Sequence, residues 1–125
     1  MRYLIDSNCC IYLFGGNYPE LGRKIAHTEA GSIGLSVIVL AELAVGAHLG
    51  KAPADDRLTR LRQEMPLLPF EERDAEAYAR LPFKRGRFDR LLAAHAVSRN
   101  LTLITNNEAD FADIPGLKIE NWTRP

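Results

Sequence analysis

Three carboxylates stand in company that acids ordinarily avoid. Glu42 is the only ionisable group in Val37-Ile38-Val39-Leu40-Ala41-Glu42-Leu43-Ala44-Val45-Gly46-Ala47. A helix that is apolar on every side is a buried helix. An ionised carboxylate carried there is costly unless a cation or several donors meet it. Glu42 therefore reads either as a carboxyl that reaches the rim or pairs with an arginine, or as a metal ligand or general base. Asp6 follows the apolar run Tyr3-Leu4-Ile5 and precedes a helix start, where free N–H groups steady its charge with or without a function. Asp89 opens an amphipathic stretch, a place where acids favour the helix dipole. Asp110 and Asp113, near Phe111, read as solvated turn residues. Brought together, such acids repel one another. A hard divalent cation such as magnesium or manganese removes that repulsion, lowers the pKa of water and holds phosphate oxygens for in-line attack. The acids are far apart in sequence, so only a fold can assemble them.

The elements that must do so alternate between strand and helix. Residues 3–5 read as a strand ending at Asp6, and Ser7 or Asn8 as the cap of a helix that Gly15-Gly16 stops. A second helix follows Pro19, and residues 32–35 form a strand. Ser36 caps a helix over residues 37–49. Pro53 opens a helix carrying Leu58 and Leu61. Residues 67–70 read as a strand, 71–81 as a helix ended by Pro82, and 87–99 as the clearest amphipathic helix. A strand over 101–104, a short turn of helix over 107–111 and a strand over 117–120 complete the chain. Short apolar strands between helices predict an α/β fold with a parallel sheet covered on both faces. In such sheets ligands gather outside the carboxyl ends of the strands, where Asp6 and Asn106-Asn107 fall.

At 125 residues the chain is expected to be one domain, 1–125, without repeat or linker. Sixteen basic and sixteen acidic residues cancel, so overall charge neither invites nor forbids a nucleic acid. Adjacent Cys9 and Cys10 have no partner for a disulfide and read as small core residues in a reducing, cytoplasmic setting. His27, His48 and His95 lack zinc-ligand spacing and read as surface or packing residues. The longest apolar run, 33–49, is interrupted by Ser36, Glu42 and His48, so no membrane span is expected. The N-terminal apolar stretch ends at Asp6, which argues against a signal peptide.

Four segments taken in order carry a resemblance: Tyr3-Leu4-Ile5-Asp6-Ser7-Asn8; Ser36-Val37-Ile38-Val39-Leu40-Ala41-Glu42-Leu43; Asp89-Arg90-Leu91-Leu92-Ala93-Ala94-His95-Ala96; and the tail from Leu103-Ile104-Thr105-Asn106-Asn107 to Glu120-Asn121-Trp122. Together they resemble the PIN-domain ribonuclease toxins of VapBC toxin–antitoxin pairs. The resemblance implies a PIN-like three-layer fold, a short central parallel sheet of four to five strands flanked by helices. It implies a cytoplasmic endoribonuclease using Mg2+ or Mn2+, silenced by a VapB-type antitoxin and commonly a homodimer or toxin–antitoxin hetero-oligomer. Carried over, Asp6 and Asp89 are direct metal ligands, and Glu42 holds a water of that metal or acts as base. Ser7 stands where the family more often has threonine and keeps a hydroxyl there. Asn8 braces the Asp6 loop. Where many members carry a further aspartate, this chain has Asn106-Asn107, which leaves Asn107 in support and Asp110 to supply a fourth catalytic acid. The Asn-Asn form resembles the subgroup that cuts initiator tRNA, although that subgroup usually has a longer connection before the third motif than residues 81–88 provide.

Arg80, Lys84, Arg85, Arg87 and Arg90 surround Asp89. Such a run is either a solvated face or a track for an RNA backbone, with Lys84, Arg85 and Arg87 as its RNA-binding candidates. Two further readings share these residues: a non-toxin RNA-processing or DNA-directed nuclease, and a non-catalytic module that binds RNA or an antitoxin.

Overall fold

The computed structural model describes residues 1–51, 53–82 and 88–125. Five strands form one parallel sheet: β1 (Tyr3–Ile5), β2 (Ile33–Ser36), β3 (Leu67–Leu68), β4 (Thr102–Ile104) and β5 (Lys118–Glu120), in the order β3-β2-β1-β4-β5. Between them run α1 (Ser7–Gly15), α2 (Pro19–Ala26), α3 (Val37–His48), α4 (Asp55–Glu64), α5 (Glu72–Ala79), α6 (Phe88–Ser98) and the single turn α7 (Glu108–Phe111). This is the α/β architecture expected from the alternation of strand and helix. The sheet centre is apolar throughout: Leu4, Ile5, Leu35, Leu103 and Ile104 have no solvent exposure. Strands covered on both faces lose the in–out alternation of an exposed sheet and read as continuous apolar runs.

The strand order decides where a site can form. From β1 the chain steps outward to β2 and β3 on one side, then returns to place β4 and β5 on the other. The reversal falls between β1 and β4, which pair through Tyr3–Thr102, Leu4–Leu103 and Ile5–Ile104. At such a switch point the loops leaving adjacent strands diverge and open a crevice at their carboxyl ends. Asp6 follows β1 and Thr105 follows β4, so both lie at its mouth.

Local chemistry explains where several elements begin and end. Asp6, not Ser7 or Asn8, is the N-cap of α1, because its carboxylate accepts the Cys9 N–H at 2.8 Å. Gly16, at a φ of 68°, closes that helix and donates to the Tyr12 carbonyl. Ser36 caps α3 as expected, accepting from the Ile38 N–H at 3.1 Å. β3 is two residues long rather than the four expected over 67–70. Pro69 has no N–H for a ladder, and its carbonyl is taken by His95 and Arg99 side chains. Among the described residues, no helix is long and apolar enough to cross a membrane.

Candidate active site

The site is built outward from Asp6. It is 5% exposed, its N–H donates to the Ile104 carbonyl at 3.0 Å, and its two carboxylate oxygens face different neighbours. Oδ1 accepts from the Cys9 N–H, and Oδ2 accepts from the Thr105 hydroxyl. Thr105 is fully buried and in turn accepts the Asn107 N–H at 3.0 Å. One carboxylate thus ties the end of β1 to the start of α1 and to the loop after β4. Each carboxylate oxygen has a second lone pair, so Asp6 is held in place with acceptor capacity left over.

Glu42 sits one and a half turns into α3, half-buried. Its carboxyl is pushed above the usual range by burial first, then by the charges of Asp89 and Asp6, while a hydrogen bond with Ser7 opposes the rise. The three acids named from the sequence therefore share one neighbourhood. Asp89 enters it from the first turn of α6, and Ser7 from the first residue of α1. Beneath them lies Cys10, fully buried, whose thiol is held protonated by burial and by the charges of Asp6 and Glu42. Burial and Asp6 do the same to Cys9. Both cysteines are free core residues, as their sequence context indicates.

Other candidates stand at different distances from this group. Asn107 donates through its side chain to Asp110 at 2.6 Å, and Asp110 is exposed at the start of α7. Its link to Asp6 runs through Asn107 and Thr105. Asn8 is exposed, and the side-chain and helix-start bonds that steady Asp6 come from Thr105 and Cys9 instead. Lys84, Arg85 and Arg87 lie outside the described residues. Arg90 does not join a solvent-facing basic track. It is 5% exposed and turns inward to Asp113, with Nη2 at 3.1 and 2.9 Å from the two carboxylate oxygens. The face of α6 that carries it packs into the protein, so the stem is buried and the charge is paired.

Sequence reasoning passed over two sets of residues. Thr105 was legible as a hydroxyl directly after a buried strand, but its partner is ninety-nine positions away. His95, read from the sequence only as a surface or packing residue, is fully buried, and so is Asp74, which nothing in the sequence singled out. His95 bonds Ser36 at 2.8 Å and the Pro69 carbonyl at 3.1 Å, and Asp74 receives Arg99 at 2.9 and 3.0 Å.

The donor set formed by Asp6, Glu42 and Asp89 is all oxygen and all acidic, which suits a hard divalent cation. As the side chains stand, no group of three or more His, Cys, Asp or Glu among the described residues is drawn together tightly enough to hold an ion. The charges of Asp89 and Asp6, which add to burial in lifting Glu42, are what such an ion would offset.

The arrangement has counterparts. The family model for the PIN domain matches residues 3–117. The chain belongs to the PIN-domain family. Among PIN proteins it is 31% identical to the tRNA(fMet)-specific endonuclease VapC of Salmonella typhimurium, over 98% of each chain. It is 29% identical to ribonuclease VapC2 of Rickettsia felis, over 99% of this chain and all of that one. In three dimensions this PIN domain is similar to VapBC2 from Rickettsia felis bound to a DNA fragment from their promoter. The TM-score is 0.83 at 28% identity, covering 98% of this chain and 99% of the other.

Proposed function

We propose that this PIN domain is the endoribonuclease toxin of a VapBC-type toxin–antitoxin pair, and that it depends on a divalent cation. The observation that carries the reading is the convergence of Asp6, Glu42 and Asp89 at the sheet's switch point, expressed in the raised Glu42 carboxyl. The VapC relatives and the VapBC2 structure support the enzyme class and a VapB-type antitoxin as partner.

Asp6 and Asp89 would hold Mg2+ or Mn2+, with Glu42 beside them. When bound, the cation supplies positive charge to a phosphodiester and acidifies water. The protein's own contributions are positional and acid–base. Asp6 is fixed by the Cys9 N–H and the Thr105 hydroxyl, so its free lone pairs point in a set direction. Glu42 holds a proton more readily than an exposed glutamate does, which suits it to take one from an attacking water and release it again. Ser7 orients the Glu42 carboxylate for that exchange. The substrate is RNA, and the name of the Salmonella relative together with the Asn106-Asn107 pair supports initiator tRNA. The setting is the cytoplasm.

Inducible expression in a bacterium, with sequencing of RNA ends, tests this directly. Wild type is expected to arrest growth and leave one dominant cut site, and Asp6→Asn is expected to do neither. Equal cutting by both, or arrest without new RNA ends, contradicts the reading.

A further inference from the structure

Two pairs of residues relate α3 to α6, one by a hydrogen bond and one by like charges that feel each other, and they are spaced alike. Ser36, the N-cap of α3, bonds His95 through Oγ and Nδ1 at 2.8 Å. Glu42 lies six residues after Ser36, and Asp89, whose charge it feels, lies six residues before His95. The two helices pack together, and these two pairs require them to run antiparallel. Six residues of helix rise about 9 Å on each side, so the spans match. Midway, three residues from each end, stand Val39 and Leu92, both in the core at 0% and 1% exposure. Positions 36, 39 and 42 along the start of α3 thus match positions 95, 92 and 89 along α6 in rise.

Val39, Leu43, Leu92 and Ala96 supply buried apolar surface, whose attraction is not directional. A hydrogen bond fixes one point. His95 has no exposure, so each ring nitrogen needs its partner. Nε2 donates to the Pro69 carbonyl, and Nδ1 accepts the Ser36 hydroxyl, whose oxygen also accepts the Ile38 N–H. Slipping α6 by one turn takes both ring nitrogens of His95 and the Ser36 hydroxyl proton away from their partners at once.

We propose that His95 and Ser36 are positioning residues whose hydrogen bond sets the α3–α6 register and so brings Glu42 and Asp89 together. The proposal rests on the nuclease reading of those acids, but the register itself does not require catalysis. A polar contact that specifies alignment where apolar packing does not is a known use of buried hydrogen bonds in helix pairs.

The test uses substitutions that divide the two bonds of His95. Asparagine places its side-chain oxygen near the Nδ1 position, and glutamine places its amide near the Nε2 position. Mn2+ affinity of the metal-free protein is measured by electron paramagnetic resonance for wild type, His95→Asn, His95→Gln, Ser36→Thr and Ser36→Ala. Melting curves establish that each variant is folded. His95→Gln and Ser36→Ala are expected to weaken Mn2+ binding by about 10- to 100-fold, the usual cost of losing a supporting bond behind a metal ligand. His95→Asn and Ser36→Thr, which keep the Ser36–His95 type of bond, are expected to retain it. Equal affinity in all five proteins, or equal loss in His95→Asn and His95→Gln, overturns the proposal. If wild type binds no Mn2+, the nuclease reading fails and the register is judged by the methyl contacts between α3 and α6 that wild type shows in nuclear magnetic resonance. Their loss in His95→Gln and survival in His95→Asn upholds the pinning of the register, and survival in both refutes it.

Discussion

Replacing Asp74 with alanine is expected to destabilise this protein more than any change at the acidic site. Asp74 has no exposure, yet it is ionised. It accepts from Arg99 Nε and Nη2 at 3.0 and 2.9 Å, from the Ser98 hydroxyl, and from the Glu71 N–H at 2.7 Å, which completes the capping box of α5. Burial alone pushes the carboxyl up, but the bonds from Arg99, Ser98 and Glu71, with the nearby His95, outweigh it and hold the pKa at about 2. Removing the carboxylate leaves the Arg99 guanidinium, 11% exposed, with Glu71 and the Pro69 carbonyl as its remaining partners, and takes away one half of the capping box of α5. Losing these bonds to a charged acceptor together with that cap costs about 3–4 kcal/mol. For 125 residues the unfolding entropy is roughly 0.26 kcal/mol/K, so melting should fall by about 11–15 °C. The same carboxylate makes stability depend on pH. Its folded pKa lies below the ordinary 3.8, so its contribution is present above pH 3.8 and is lost as pH falls through about 2. That difference is worth roughly 2 kcal/mol. Calorimetry on wild type and Asp74→Ala between pH 2 and pH 7 checks both figures. A fall in melting temperature below about 4 °C at pH 7, or an acid limb of equal steepness in the two proteins, would refute this account of the network.

Glu42→Gln should remove RNA cleavage by about 10²-fold or more, as loss of a general base does, while slightly raising the melting temperature of metal-free protein at neutral pH. The sign follows from its raised folded pKa: its contribution is favourable below pH 4.5 and is lost as pH rises through the folded value. Melting that falls at pH 7 contradicts it. In metal-free protein, carbon-detected titration should place the Glu42 carboxyl above 4.5, and Mg2+ should bring it down; no response to Mg2+ argues against a cation between these acids. Thr105→Val removes a buried donor to Asp6 and the acceptor of the Asn107 N–H, and is expected to cost about 1–3 kcal/mol, read by urea denaturation, with weaker Mn2+ binding. His95 is held neutral, chiefly by burial, with a pKa below its ordinary 6.5. Its contribution is therefore present above pH 6.5 and is lost as pH falls through the folded value, and His95→Asn should flatten that slope in a stability–pH curve.

Much of this was legible in the sequence because it is written in short-range pattern. The apolar runs at Tyr3-Leu4-Ile5 and Leu101-Thr102-Leu103-Ile104 announce buried strands, and Ser36 before a long apolar stretch announces a cap. Glu42 stood out because an acid in the middle of such a stretch needs a reason. Asp6 was legible as an acid at a strand end steadied by helix-start N–H groups, and it, rather than the alternative caps Ser7 or Asn8, closes the start of α1. The remainder depends on partners that only the fold supplies. Thr105 looks like any strand-end threonine until β4 is laid beside β1. Arg90 looks like one more surface cation until α6 is turned, when it meets Asp113. His95 and Asp74 occur at ordinary helix positions, and nothing local distinguishes them from solvated neighbours.

The central claim is that Asp6, Glu42 and Asp89 form one cation-dependent site for cutting RNA. The most direct measurement is cleavage of purified RNA by wild type, Asp6→Asn and Asp89→Asn, with Mg2+ and then with chelator. Wild type is expected to cleave at discrete sites with Mg2+ and not with chelator, and neither folded variant is expected to cleave. Cleavage that persists in a rigorously purified Asp6→Asn/Asp89→Asn double variant, or that ignores the chelator, contradicts it.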